Sequence, residues 1–144
     1  MLLDKKGYSL VELLLVLMIV FVISSCALYL NNRFVEKHTF ELFYNQLVLD
    51  VRHVQTTALQ ERRSAHLIFD SGGTEYIGRK SLSEPLFVKK LPTGYSLSQS
   101  STIRSLFFQP NGTIEKFGTL IFDTPSGIER VRIYIGKGRM TLEQ

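Results

Sequence analysis

The N-terminal part of the chain contains a continuous run of apolar residues. Further along, apolar residues recur on only one side of the predicted helix. Residues 13–32 carry no charged side chain, and twelve of these twenty residues are Leu, Ile, Val or Phe. Twenty helical residues rise about 30 Å, which matches the hydrocarbon thickness of a bilayer. Lys5 and Lys6 precede the run and favour a cytoplasmic N-terminus. The pattern predicts a single-pass membrane helix whose following chain is exported.

From Asn31 onward the helix is predicted to continue with apolar residues on one side. No Gly or Pro lies between Gly7 and Gly72, so helix breakers are absent from this stretch. The apolar side chains recur at intervals of three or four residues: Phe40, Phe43, Leu47, Val51, Val54 and Ala58. This spacing predicts an amphipathic helix that ends near Arg63 and packs its apolar stripe on a C-terminal domain.

From residue 64 the chain consists of short β-type runs separated by turn residues. The runs lie at residues 66–69, 75–79, 86–88, 106–108, 120–122 and 130–135. Turn residues 70–73 predict a hairpin between the first two runs. In the last run Val131, Ile133 and Ile135 alternate with polar residues and are expected on one face. The predicted fold class is α+β, a long N-terminal helix packed on a mainly antiparallel sheet of five to seven strands.

Composition and motifs exclude several other classes of protein. The 144 residues suffice for one domain with an anchor, and a net charge of +4 is too small to argue for nucleic-acid binding. Cys26 is the sole cysteine, so an internal disulfide is excluded. The three histidines, His38, His53 and His66, lack the spacing of metal ligands. Because no catalytic motif is present either, we expect neither a cofactor nor an enzymatic activity.

The residues around Glu12 carry the most specific signal in the sequence. A carboxylate at the mouth of an apolar run is costly in lipid unless it is paired or neutralised. Residues 6–13 read Lys-Gly-Tyr-Ser-Leu-Val-Glu-Leu. In order and spacing they resemble the leader junction of type IV prepilins and pseudopilins, and the helix followed by a β-rich domain is similar to that superfamily over the whole chain.

This resemblance implies a processing site and an assembly role. A membrane prepilin peptidase would cleave after Gly7 and N-methylate Tyr8. The new ammonium of Tyr8 would then pair with Glu12 of a neighbouring subunit, an attraction of about 4 kcal/mol at 4 Å and an effective dielectric of 20. Such a buried pair fixes helix register more than it adds net stability. The alternative is that Glu12 stays at the membrane interface and pairs with Lys5 or Lys6.

The resemblance also divides the chain and supplies partners. Residues 1–7 would be the leader, 8–30 the transmembrane and filament-core helix, 31–63 its amphipathic continuation, and 64–144 the globular domain. The protein would lie in the cell membrane before processing and at the cell surface afterwards. Its partners would be other pseudopilins, the prepilin peptidase, the inner-membrane assembly platform with its ATPase, and membrane lipid.

Within the superfamily, the sequence is most similar to the minor pseudopilins. Residues 106–113 and 135–139 resemble the C-terminal region of the FimT and GspH group. The apolar half lacks the proline kink, and the chain lacks the disulfide, that many major pilins have. The short lysine leader is most similar to competence pseudopilins of the ComGD type. The predicted function is that of a minor pseudopilin in DNA uptake for transformation, with type II secretion as the alternative.

Three other interpretations of the N-terminal segment remain open. Residues 23–26, Ile-Ser-Ser-Cys, resemble a lipobox, which would make the protein a surface lipoprotein anchored at Cys26. A cleavable secretory signal has the same basic start, although its apolar core usually spans only about 7–15 residues. A single-pass membrane protein that never assembles would keep Met1.

Basic residues recur near the C-terminus, at Arg130, Arg132, Lys137 and Arg139. On a strand, Arg130, Arg132 and Tyr134 share the face opposite the aliphatic one. In a DNA-uptake filament this strip could contact phosphate groups. A solvated strand face or a contact between subunits explains the same residues, because four charges lack the density of a dedicated DNA site.

Overall fold

The computed structural model describes residues 10–80 and 85–143, and the side chains of residues 27–37 also lie outside the description. The described chain begins with helix α1 (Leu10–Glu61) and continues with eight strands. These are β1 (Ala65–Phe69), β2 (Glu75–Arg79), β3 (Pro85–Lys90), β4 (Ser96–Leu97), β5 (Ser105–Phe108), β6 (Gly118–Thr124), β7 (Gly127–Ile133) and β8 (Met140–Glu143). Two compact units are present, one up to Lys37 and one from His38 onward, and the second contains all eight strands.

The described strands form two four-stranded sheets, in the orders β3-β2-β1-β5 and β4-β6-β7-β8. All their pairings are antiparallel. The predicted α+β class with mainly antiparallel strands is therefore confirmed, and the single sheet of five to seven strands is wrong. The sequence prediction omits β4, whose two residues are too few to show an alternating pattern. It also omits β8, although its sequence Met-Thr-Leu-Glu alternates apolar and polar residues.

The stripe of α1 predicted from residues 40–58 is buried along its whole length. At its N-terminal end, Phe43 meets Phe122 of β6 edge-on, with ring centroids 5.3 Å apart. The ring centroid of Phe122 also lies 5.9 Å from that of Phe69 in β1. One aromatic side chain thus contacts the helix and the other sheet. Full burial of such a side chain stabilises the fold by about 1.5–3 kcal/mol.

A glycine connects the two sheets at the β1–β2 turn. Gly73 has a φ of 71°, a conformation that residues with a Cβ rarely adopt. Its carbonyl accepts a hydrogen bond of 2.8 Å from the backbone N–H of Leu97 in β4. A Cβ at Gly73 would lie 2.5 Å from the carbonyl oxygen of Leu97. The close approach of the turn to β4 therefore requires glycine.

Two element ends differ from the sequence prediction. Helix α1 ends at Glu61 rather than near Arg63, because Arg62 already has a left-handed φ of 50°. Strand β7 ends at Ile133, and Ile135 is 69% exposed. The prediction that Ile135 shares the buried face of Val131 is therefore wrong, since the chain leaves the strand before it reaches that position.

Candidate assembly surface

The predicted processing residues lie at the edge of the described chain. Gly7 and Tyr8 fall outside the described residues, so cleavage and N-methylation stay predictions. Glu12 is exposed near the start of the described part of α1. Its pairing with an ammonium of another subunit stays a prediction as well. Cys26, the lipobox cysteine of the alternative interpretation, is a free and exposed thiol.

The N-terminal segment of α1 presents apolar side chains in all directions. Every residue from 10 to 26 is exposed, and the large hydrophobic side chains range from 49% exposure at Ile19 to 76% at Phe21. An apolar surface of this extent marks an interaction site. Within the part of the chain that is described, no helix is long and apolar enough to cross a membrane. The spanning segment at residues 8–30 stays a prediction, and it lies partly outside the described side chains.

The C-terminal part of α1 carries a buried carboxylate that sequence reasoning missed. Asp50 is 5% exposed. Its oxygens accept hydrogen bonds from the Tyr76 hydroxyl at 2.7 Å and from Lys89 Nζ at 2.8 Å. Gln46 Nε2, one helical turn earlier, donates a third at 3.0 Å. Burial, together with the neighbouring Asp50, raises the pKa of the Tyr76 hydroxyl far above its ordinary value. This network ties α1 to strands β2 and β3.

One signal in the sequence pointed toward Asp50, although its partners could not be found. The residue lies directly before Val51 of the buried stripe and three positions after Leu47. A carboxylate so close to the centre of an apolar stripe requires a partner. Tyr76 and Lys89 are 26 and 39 residues away along the chain, and only the pairing of β2 with β3 brings them side by side.

The four basic residues predicted as one strip do not form a single cluster. Arg132 pairs with Glu143 of β8 at 2.6 Å, and it lines an apolar groove with Phe117 and Tyr134. Lys137 and Arg139 line a different groove. The predicted alternation along residues 130–134 is confirmed for Arg130 and Arg132, which are both exposed. Lys137 and Arg139 lie instead in the glycine-rich loop between β7 and β8.

This second groove has a volume of about 550 Å³ and lies between α1 and the β7–β8 loop. Its lining residues are Val48, Val51, Arg52, Gln55, Thr56, Lys137, Gly138, Arg139 and Met140. The Gln55 side-chain amide donates to the carbonyls of Gly112 at 2.7 Å and Lys137 at 3.0 Å. These bonds fix the loop against the helix. They also bring Arg52, which sequence reasoning did not single out, to the same groove as Lys137 and Arg139.

The histidines occupy separate environments. His53 stacks on Phe87, and His66 of β1 stacks on Phe107 with ring centroids 5.6 Å apart. Burial and the nearby Arg79 charge lower the pKa of His66 below its usual 6.5. Among the described residues, no group of three or more His, Cys, Asp or Glu side chains could hold a metal ion.

Comparison with solved structures relates this architecture to a known fold. No protein-family model and no curated protein sequence matches the chain. A crystal structure of the type IV minor pilin FimU from Pseudomonas aeruginosa is similar with a TM-score of 0.60 and 18% identity, over 77% of this chain and 92% of FimU. A second crystal form of FimU has a TM-score of 0.53 and 20% identity, over 69% of this chain and 89% of FimU. The fold is that of a type IV pilin.

A third structure resembles the chain more distantly. It is the minor pseudopilin EpsH from the type 2 secretion system of Vibrio cholerae, with a TM-score of 0.47, 17% identity, and coverage of 75% of this chain and 95% of EpsH. At this TM-score the likeness adds nothing to the assignment of the fold.

Proposed function

We propose that this chain is a minor subunit of a type IV pilus-like filament that serves DNA uptake, with a structural rather than a catalytic role. The observation that carries the proposal is the exposed apolar surface of residues 10–26 on a chain with the type IV pilin fold. Lipid or the helices of neighbouring subunits can cover such a surface. Its one charged residue is Glu12, four positions after the proposed mature N-terminus.

In this proposal the chain passes through two environments. It first inserts as a single-pass membrane protein with a cytoplasmic N-terminus. Prepilin peptidase then cuts after Gly7 and methylates Tyr8, and the assembly platform and its ATPase move the subunit into the filament. The apolar helices pack inside, and the β domains face outward at the cell surface. Other pseudopilins are the direct partners, and contact with DNA is indirect or shared.

The type of apparatus is the finer part of the proposal. The short lysine leader and the lack of a second cysteine favour a competence pseudopilus over a type II secretion system. Deletion of the gene separates the two, since transformation should fall by orders of magnitude while secretion of extracellular enzymes persists. Normal transformation with lost secretion would reverse the assignment.

The lipoprotein alternative makes a different covalent prediction. Cleavage before Cys26 would remove most of the exposed apolar surface of α1, residues 10–25, and Glu12 is among the residues lost. The two mature N-termini differ by eighteen residues, Tyr8 against Cys26. A lipoprotein would also carry an acylated Cys26, whereas the proposal leaves this thiol free.

Intact mass and N-terminal sequencing of the membrane-extracted protein test the proposal. The expected mature chain begins with N-methyltyrosine at Tyr8 and is absent from a strain without prepilin peptidase. A chain that begins at Met1 in both strains, or at an acylated Cys26, would overturn the filament assignment.

A further inference from the structure

The groove between α1 and the β7–β8 loop collects positive charge from two distant parts of the chain. Arg52 lies on the helix, Lys137 and Arg139 lie in the loop, and all three side chains are exposed. No acidic residue is among the lining residues of the groove. Within the described part of the chain, none of these three side chains forms an ion pair. Their charges are therefore available to an anionic ligand.

The arginines of β7 differ from the groove in this respect. Arg132 already pairs with Glu143 of β8 at 2.6 Å. Arg130 is directly opposite Glu143 in the strand register, so both residues lie on the same face of the sheet. One carboxylate thus weakens the positive field of both arginines. The groove, which has no such carboxylate, is the stronger candidate for binding an anion.

The walls of the groove strengthen its field and fix its shape. Val48, Val51 and Met140 lie among the charged residues and form apolar walls, and a cleft with charges of one sign and low-dielectric walls concentrates the electrostatic potential. The side-chain amide of Gln55 donates to the carbonyl of Lys137 at 3.0 Å. This bond holds the loop against the helix, so the charges of the two elements converge before a ligand binds.

The side chains of the groove favour phosphate groups over bases as ligands. Two of its three cations are arginines, whose planar guanidinium groups match the geometry of phosphate oxygens. No Phe, Tyr or Trp is among the lining residues, so nucleic-acid bases would find no aromatic surface for stacking. Contacts to phosphate groups carry no direct sequence information. The groove therefore suits a sugar–phosphate backbone of any sequence.

We propose that the Arg52–Lys137–Arg139 groove binds the phosphate backbone of DNA and supplies this chain's share of the DNA contact. The inference rests on the proposed function, in which the filament serves DNA uptake. Each phosphate that a protein neutralises contributes about −0.9 to the slope of log affinity against log salt. One contact for each of the three cations gives a slope of about −2.7, or a roughly 40-fold loss of affinity between about 50 and 200 mM salt.

The salt dependence of DNA binding tests this inference. Fluorescence anisotropy of a short labelled duplex measures binding to the full-length protein in detergent micelles. Arg52→Ala and Arg139→Ala should each weaken binding several-fold in low salt, equally for unrelated sequences, and each should reduce the slope by about 0.9. Arg139→Lys keeps the charge and should retain the slope. Circular dichroism and thermal unfolding confirm that each variant is folded.

Two controls separate the groove from a general effect of charge. Arg130→Ala and Lys116→Ala each remove one exposed positive charge outside the groove and should leave the slope unchanged. A competition experiment separates phosphate from carboxylate ligands. Unlabelled duplex of a second sequence should displace the labelled duplex, whereas polyglutamate at the same charge concentration should be several-fold less effective.

Three results would overturn this inference: an unchanged slope when Arg52, Lys137 and Arg139 are all replaced by Ala, an equal loss of slope in Arg130→Ala, or equal displacement by polyglutamate. The last result would indicate a site for an acidic peptide. Failure of the proposed function is visible separately, as a mature chain that does not begin at Tyr8 or as normal transformation after deletion of the gene. A correctly processed chain that transformation requires, but whose triple variant keeps the full slope, would reject the groove alone.

Discussion

The hydroxyl of Tyr76 in β2 donates a hydrogen bond of 2.7 Å to the buried carboxylate of Asp50 in α1. Lys89, which neighbours Tyr76 across the β2–β3 pair, donates to the other oxygen of the same carboxylate at 2.8 Å. A buried charge is retained only where its hydrogen bonds are satisfied, so an axial shift of α1 over the sheet would break both bonds at once. The network therefore adds a directional constraint on the position of the helix to the packing of the apolar stripe.

Tyr76→Phe should lower the free energy of unfolding by about 1.5–3 kcal/mol, the range for a hydrogen bond to a charged group. The substitution keeps the ring in the core and removes one donor to Asp50. Chemical denaturation of the full-length protein in detergent measures the effect. Tyr44→Phe is the matched control, because its hydroxyl donates to a neutral carbonyl, that of Met140, at 3.2 Å. Equal losses for the two variants would contradict a special role for the buried carboxylate.

The lowered pKa of His66 predicts that the folded protein loses stability in mild acid. Its pKa in the folded state is lowered below 6.5 by burial and by Arg79. As pH falls, the unfolded chain binds a proton at this residue before the folded chain does, and protonation therefore favours unfolding. Stability should begin to decline as pH falls through 6.5, the usual pKa of the unfolded chain, and should continue to decline until pH passes the lowered pKa of the folded state, and His66→Gln should reduce that decline.

The control for this experiment is His53→Gln, which retains His66 and should keep the decline of the unmodified protein. Thermal unfolding at several pH values measures both variants. An identical pH dependence in the His66→Gln variant and the unmodified protein would show that His66 does not contribute.

Glu12→Ala should leave cleavage after Gly7 largely intact but impair incorporation into filaments. The side chain is exposed at the start of the apolar surface, where the proposed function pairs it with the Tyr8 ammonium of a neighbour. Immunoblots of sheared filaments, compared with the processed pool in membranes, measure incorporation. Glu41→Ala, at an exposed position later on the same helix, is the control. Normal recovery of the Glu12→Ala variant in filaments would contradict the pairing.

The sequence predicts the elements of this fold better than their arrangement. Intervals of three and four residues identified every buried apolar position from Phe40 to Ala58, because helix burial follows a fixed period. Residues 70–73 predicted the first hairpin because turn residues act locally. The division into two sheets depends instead on contacts such as Phe122 with Phe69, which are far apart in the sequence.

In the candidate site, too, the sequence predicts local features better than contacts between distant residues. The proposed leader motif is local, so the sequence predicts it without a structure, and it stays a prediction. The basic groove joins Arg52 to Lys137 and Arg139 across more than eighty residues, and the sequence showed only that Lys137 and Arg139 follow Arg130 and Arg132 along the chain. Strand alternation does not extend to them, because β7 ends at Ile133, and Gly136 and Gly138, with φ values of 96° and 65°, redirect the chain.

Gly73→Ala should destabilise the protein more than Gly136→Ala. Both positions have positive φ, which costs a residue with a Cβ roughly 1–2 kcal/mol. At Gly136 no atom lies within 4 Å of an added Cβ, whereas at Gly73 the Leu97 carbonyl oxygen would lie 2.5 Å away. The difference in unfolding free energy between the two variants therefore isolates the collision between the β1–β2 turn and β4. Equal destabilisation would show that the turn moves away at no cost.

Gln55→Ala should loosen the β7–β8 loop without unfolding the domain. The Gln55 amide is shared by the carbonyls of Gly112 and Lys137, and its partly exposed hydrogen bonds contribute about 1 kcal/mol. Hydrogen–deuterium exchange should accelerate at residues 136–139 and stay unchanged in β1 and β2. Gln55→Glu should have a larger effect, because it directs a carboxylate at two carbonyl oxygens. Gln60→Ala, on the exposed surface of the same helix, is the control. Unchanged loop exchange in both Gln55 variants would show that other contacts hold the groove in shape.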